Sequence, residues 1–311
     1  MALIQMSMSK KGIREQLVHA LSEIPLTRSL IINPIRNYRI RKHYEELMKL
    51  NDLSPADKAN WDKRIRVTKI STDNQKIEKL SGAGTLVNGN LLMHNGLSIE
   101  PLSYYGAPML RLLMENDSIH EPQEEYVFQE VLRGMKSNAV MLELGCYWGF
   151  YSMWFASKVK GGKNYLIDNN DGITRAKSNF AMNNLNATFM VGYIGKDVAG
   201  SEPPVTNVDR ICKEQKLDFI DILHADIQGF EMEMLQTMPQ LIKKRGIGYI
   251  FISTHSNELH ANCISFLVEN KYEILCDADL DATFSEDGLI VAKDPAYSGI
   301  PKIEISKLNA K

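Results

Sequence analysis

The chain reads as an α/β protein: a mostly parallel sheet with helices on both faces, preceded by a mixed α/β extension. Three observations predict this. From about residue 118 short apolar runs alternate with amphipathic stretches at helical spacing, and strands separated by helices pair in parallel. The first of these strands ends in a turn with Gly145 and Gly149 just before a helix, a place where ligands bind in open α/β sheets. The 311 residues are 44% hydrophobic and 24% charged, which excludes a wholly disordered, collagenous or coiled-coil chain.

Taken in order, residues 1–115 form the N-terminal region. Helices are expected over 16–24 and 44–50, with Pro34 and Pro55 as breakers. Short strands follow over 85–87 and 91–93, punctuated by Gly82, Gly84, Gly89 and Gly96. Residues 1–66 carry 13 Lys and Arg against 7 Asp and Glu. Their basic stretch 36–43 is read first as a solvated helix face, and second as a contact for an anionic glycan, nucleotide-sugar or membrane surface. The main unit spans 116–295. Its first helix starts at Pro122 and carries the stripe Val127, Phe128, Val131 and Leu132. Strands are expected over 139–144, 164–167, 188–193, 219–224, 249–252, 272–275 and 289–292. Helices are expected around Trp154 (a core residue) and over 173–183, 230–237 and 259–269. Residues 296–311 are a tail. Because the α/β unit looks complete alone, the N-terminal region is expected to cover the substrate side of the crevice or to form a homo-oligomer contact.

Net charge is −2, so no global basic field recruits nucleic acid. No apolar run approaches the ~18–20 residues of a membrane span, and the N-terminus lacks the apolar core of a secretion signal. Cys146, Cys212, Cys263 and Cys276 form no CxxC pair; they read as reduced thiols of a cytoplasmic protein, neither a disulfide frame nor a zinc site. The sequon at Asn186-Ala187-Thr188 is then a chance match.

The turn after the first strand of the main unit reads Leu142-Glu143-Leu144-Gly145-Cys146-Tyr147-Trp148-Gly149-Phe150. The GxxxG spacing is not the GxGxxG that cradles a pyrophosphate. Glu143 would repel phosphate and suits a cationic amino-acid tail. Asp168, at the end of the second strand, stands where an acid accepts both hydroxyls of a ribose. Together these describe a pocket for S-adenosylmethionine lined by Glu143, Gly145, Tyr147, Gly149, Asp168 and Asp226, with S-adenosylhomocysteine as product.

The stretch from Glu143 to Phe150 resembles the first motif of class I methyltransferases. Asp226-Ile227-Gln228-Gly229-Phe230-Glu231 resembles the D-[VI]-E-G-x-E signature of FkbM-type methyltransferases, and Val208-Asp209-Arg210-Ile211 their short leucine–aspartate element. Ile252-Ser253-Thr254-His255 stands where the family has an E-[VI]-H strand end. The resemblance covers roughly residues 120–293. It implies a seven-stranded Rossmann-like sheet and O-methylation of a sugar, glycan or glycosylated natural product. Gln228 and Ser253 replace family acids, which weakens the reading of a divalent metal on Asp226 and His255.

Methyl transfer from a sulfonium leaves the protein to align an acceptor and remove its proton. His255 with Asp226 is the expected base, since an imidazole titrates near ~6.5. Glu231, His120 and Tyr105 are expected substrate contacts. Acids at a helix start account for most of the run 120–125, with a lid over the cofactor as the other reading. Two other functions compete: an NAD-type Rossmann oxidoreductase, and a non-catalytic glycan- or partner-binding module on the same fold.

Overall fold

The computed structural model describes residues 53–196 and 200–309. The helices expected over 16–24 and 44–50, Pro34 and the basic stretch 36–43 lie outside the described residues. Pro55 starts a helix instead of breaking one. Helix α1 (Pro55–Ile70) is capped by Ser54, whose hydroxyl accepts from the Asp57 amide, and proline at the first position has no amide to waste. A 3-10 turn (Thr72–Gln75) follows, then a small antiparallel sheet of β1 (Leu86–Val87), β2 (Asn90–Leu92) and β3 (Ser98–Ile99). Helices α2 (Ala107–Glu115) and α3 (Pro122–Arg133) lead into the main sheet.

The main sheet begins with β4 (Val140–Leu144), β5 (Lys163–Asp168) and β6 (Thr188–Val191), joined by α4 (Phe150–Lys158) and α5 (Asn170–Met182). A two-stranded ribbon, β7 (Tyr193–Ile194) and β8 (Val205–Thr206), precedes α6 (Val208–Gln215). The chain then returns to the other side of β4 as β9 (Ile220–Ala225), α7 (Glu231–Gln236), α8 (Pro239–Lys243) and β10 (Ile247–Thr254). Helix α9 (Asn257–Glu269), β11 (Glu273–Ala278) and β12 (Gly288–Lys293) complete it.

The strand order is β11-β12-β10-β9-β4-β5-β6. Six strands run in one direction, five of them side by side, and β12 alone runs antiparallel to both neighbours. The cause is the β11–β12 connection, residues 279–287, which carries no helix; a parallel pairing needs a crossover of a dozen or more residues. A dinucleotide-binding sheet of order 3-2-1-4-5-6 has no such strand. The strand order reverses between β4 and β9, and the crevice there is where a ligand belongs.

Strands β9 and β10 are buried at every position, as expected of central strands covered on both faces. Along β10 the side chains alternate. Tyr249 and Phe251 join a cluster with Phe128, Trp154 and Phe155 on one face. Ile250 and Ile252 join Leu144, Leu223 and Leu267 on the other. Leu91, Met93, Ile99 and Leu110 belong to the first cluster. The N-terminal elements from β2 on therefore share one buried core with the α/β unit. Side chains stitch the join: Asn183 Oδ1 accepts from the Ser98 amide and Asn179 Oδ1 from the Glu100 amide. The tail is tied in as well, with the Ser306 amide donating to Asp73. All four cysteines are buried free thiols. Among the described residues no helix is long and apolar enough to cross a membrane.

Candidate active site

The turn after β4 is built by close backbone approach. Gly145 has φ +74°, and a Cβ there would lie 1.7 Å from the Asp226 carbonyl oxygen. Its glycine lets the ends of β4 and β9 meet at the switch point. Gly149, at φ +75°, answers a different need: a Cβ would meet Ala176 and Phe180 of α5 at 3.1 and 3.2 Å. It sets helix packing, and the cleft beside Gly145 is lined without it.

Asp168 closes β5. Its Oδ2 accepts from the Tyr147 amide at 2.7 Å and its Oδ1 from the Asn169 amide at 2.6 Å. A Cβ on Gly172 would come within 2.5–2.9 Å of that carboxylate, so glycine there makes room for it. Burial pushes the carboxyl up from its usual value, and the two amide donors pull it back. Each oxygen has a second lone-pair direction to offer. Asp168 lies on a cleft of about 750 Å³ at the carboxyl ends of the strands, shared with Gly145, Tyr147, Ile194, Asp226 and Phe230. That volume is in the ordinary range for a small-molecule site. Its titratable lining carries the acids Asp168, Asp226 and Glu233 against Lys196. The rim is aromatic: Tyr105, 55% exposed, stacks on Tyr147 with ring centroids 4.7 Å apart, and Phe230 and Tyr193 are about as exposed.

Beside the cleft lies an acid-ringed histidine. The loop after β9 turns through Gln228 (φ +55°) and Gly229 (φ +101°). Glu231 pins this loop, its Oε1 accepting from the amides of Ile227 and Gly229 at 3.1 and 3.2 Å. Gln228 donates to Asp226 Oδ1 at 2.9 Å, where a glutamate would repel it. His255 follows β10. Its Nε2 stands 3.3 Å from Asp226 Oδ1 and 3.4 Å from Asp287 Oδ1, and its Nδ1 3.1 Å from Glu231 Oε1. These are ion-pair separations off the hydrogen-bond direction, so neither ring nitrogen has a directed partner. Burial disfavours the charged imidazole, but Asp226, Glu231 and Asp287 outweigh it and push its pKa up to about 10. Near neutrality the ring holds its own proton. That direction runs against the free base expected from the sequence. Burial and the neighbouring Asp226 push Asp287 up to about 6.

The remaining predicted residues fall beneath this surface. Glu231 is 0% exposed and engaged with its own loop and His255, so it does not meet a substrate. His120 is 1% exposed, with Nδ1 2.7 Å from Glu125 and Nε2 3.3 Å from Glu121; it too is corrected from substrate contact to buried network. Glu143 is buried under the turn, where it accepts from the Ser152 amide at 3.2 Å and borders a cavity of about 30 Å³ continuous with Gly145 and Asp226. Burial pushes it up to about 7. Asp209 accepts from the Gln240 and Leu241 amides and so caps α8. Sequence reasoning missed Asp287, whose signal was faint: an acid just before the glycine that opens β12. It also missed the 2.6 Å contact between His224 and Glu124, two residues a hundred positions apart.

Residues 83–274 match the family model described as the methyltransferase FkbM domain. No curated protein matches the chain significantly. Among solved structures, a precorrin-6y C5,15-methyltransferase from Geobacter metallireducens is similar at 15% identity and TM-score 0.39, over 55% of this chain and 89% of that one. TrmK of M. capricolum, solved with S-adenosyl-homocysteine, is similar at 15% identity and TM-score 0.39, over 55% and 69%. An rRNA methylase from Streptococcus thermophilus is similar at 8% identity and TM-score 0.42, over 55% and 96%.

Proposed function

Because the chain belongs to the FkbM methyltransferase family, we propose that it transfers a methyl group from S-adenosylmethionine to a hydroxyl of a sugar, glycan or glycosylated natural product. The observation that carries this reading is the acid-lined cleft at the strand ends, with Asp168 on one side and Asp226 on the other. Asp168 has lone pairs for two ribose hydroxyls. The excess of carboxylates favours a cationic sulfonium amino acid over a pyrophosphate, which argues against the oxidoreductase reading. When bound, S-adenosylmethionine supplies an electrophilic methyl group. Asp226 and Asp287 then face the acceptor oxygen, hold it in line and take its proton, while His255 keeps the two carboxylates in place. Exposed Tyr105, Tyr193 and Phe230 at the rim suit the apolar faces of a sugar ring.

Radiolabelled methyl transfer across a glycan panel tests the reading. Incorporation into an alkali-stable ether is expected. Incorporation only into nitrogen or carboxyl acceptors would overturn the hydroxyl assignment.

A further inference from the structure

The geometry points to a divalent-cation site formed by Asp226, His255 and Asp287 at the edge of the cleft. Their donor atoms all lie within 4.8 Å of one another. Ligands held about 2.1 Å from one ion stand about 3.0 Å apart at right angles and about 3.4 Å apart at the tetrahedral angle. The observed separations from His255 Nε2, 3.3 and 3.4 Å, fall at the upper end of this range. They are long and misdirected for hydrogen bonds, and His255 Nε2 is buried without a directed partner.

A second, independent feature is the backing of the ring. Glu231, fully buried, places Oε1 3.1 Å from His255 Nδ1. A metal-ligating histidine almost always presents its other nitrogen to such a carboxylate, which fixes the tautomer. Glu231 Oε2 is also buried without a partner. Besides His255, the basic group acting most on Asp287, Arg64, is ion-paired to Glu286 at 2.6 Å. Three carboxylates therefore share one imidazole, and a dication balances them. One nitrogen and two carboxylate oxygens with further positions open suit Mn²⁺ or Zn²⁺ better than a closed structural site. Asp226 also lines the cleft, so an ion it holds would seat the acceptor oxygen. That last role, and no other part of the site, rests on the proposed methyl transfer.

The test uses the full chain stripped of metal by a chelator and titrated with Mn²⁺, with free ion followed by its electron paramagnetic resonance signal. Loss of signal equivalent to one ion per chain is expected. Asp287→Asn and His255→Gln should each weaken binding by more than about tenfold, and Glu231→Gln by about 10–100-fold. Glu258→Gln, an exposed acid elsewhere, should bind as the parent does. Thermal melting of each variant separates lost binding from lost folding. A parent protein that leaves the Mn²⁺ signal unchanged overturns the inference, as does binding indifferent to both Asp287→Asn and His255→Gln. S-adenosylhomocysteine calorimetry on the same samples keeps the readings apart. Nucleoside binding without Mn²⁺ binding sinks the ion site alone, and Mn²⁺ binding without nucleoside binding sinks the methyl-transfer reading alone.

Discussion

Two clusters in this molecule use the same chemistry to opposite ends. Around the start of α3, the carboxylates of Glu121, Glu124, Glu125 and Glu143 are met by His94, His120 and His224, all buried. At the cleft, Asp226, Glu231 and Asp287 surround His255 alone. In the first cluster histidines nearly match acids, and burial pushes Glu121 up to about 8 and Glu143 to about 7, which sheds the rest of the charge. The acids also do structural work: Glu125 accepts from the amides of His120 and Glu121 at the entry to α3, and the Tyr151 hydroxyl donates to Glu121. The second cluster is left with surplus negative charge, and Asp226 and Asp287 are partly exposed. A paired, sealed cluster holds a fold together; an unbalanced, half-open one is ready to bind something.

Substitutions should separate the two. At the cleft, Asp226→Ala should lower turnover by about 10²–10⁴-fold, the usual worth of a positioned proton-transfer group, and His255→Ala should lower it similarly by releasing the carboxylates it holds. Neither should unfold the protein, and the double variant should lose little more than either single one, because the residues act as a unit. Equal losses in melting temperature and turnover would erase the distinction. In the buried cluster, Glu125→Ala strands two histidines and should cost about 3–5 kcal/mol of stability, read from the urea midpoint. Loss of activity with stability intact would move Glu125 into the site.

The pH dependence of stability should draw on both clusters, because at the cleft Asp226, Glu231 and Asp287 outweigh burial and raise His255 from 6.5 to about 10. Burial opposes a charged His224, but Glu124 overrides it and raises the pKa to about 9 from 6.5. A raised histidine contributes stability that is whole below its unfolded value and lost as pH climbs through its folded one. Glu121 and Glu143, raised by burial, favour the folded state only while protonated, so their contribution is lost in the same direction. The urea midpoint should therefore fall from about pH 4.5, where the glutamates ionise in the unfolded chain, to about pH 10. A flat profile there would mean that His224, His255, Glu121 and Glu143 are not held as described. The smallest effect is the baseline. Asn207 caps α6 by accepting from the Arg210 amide, and Asn207→Ala should cost about 1 kcal/mol, leaving turnover per folded molecule unchanged.

Much of the fold was legible because central strands covered on both faces leave continuous apolar runs: 249–252 fell inside β10, and 219–224 overlapped β9 from Ile220 on. The glycines of the first turn were legible as glycines, but not what each makes room for. Gly149 admits α5, and Gly145 admits the backbone of Asp226; a sequence does not show which neighbour presses on a turn. The acids of 120–125 read as a helix start. Their histidine partners at 94 and 224 come from distant segments, so no local pattern reveals them. The serine at 253 looked like a lost family acid; in the fold its hydroxyl faces Glu124 at 3.4 Å, so a carboxylate from α3 already stands at that point. Asp287 stayed hidden for the same reason: it reaches His255 only after β12 has turned back antiparallel against β10.

The central claim is that the cleft binds the nucleoside of S-adenosylmethionine through Asp168. Calorimetry with S-adenosylhomocysteine on the parent protein and on a folded Asp168→Ala variant tests it most directly. Removing a charged acceptor of two hydroxyl hydrogen bonds should cost about 1.5–3 kcal/mol, or roughly tenfold to a hundredfold in Kd. Equal affinity in the two proteins would contradict the placement of the cofactor, and with it the site built around that placement.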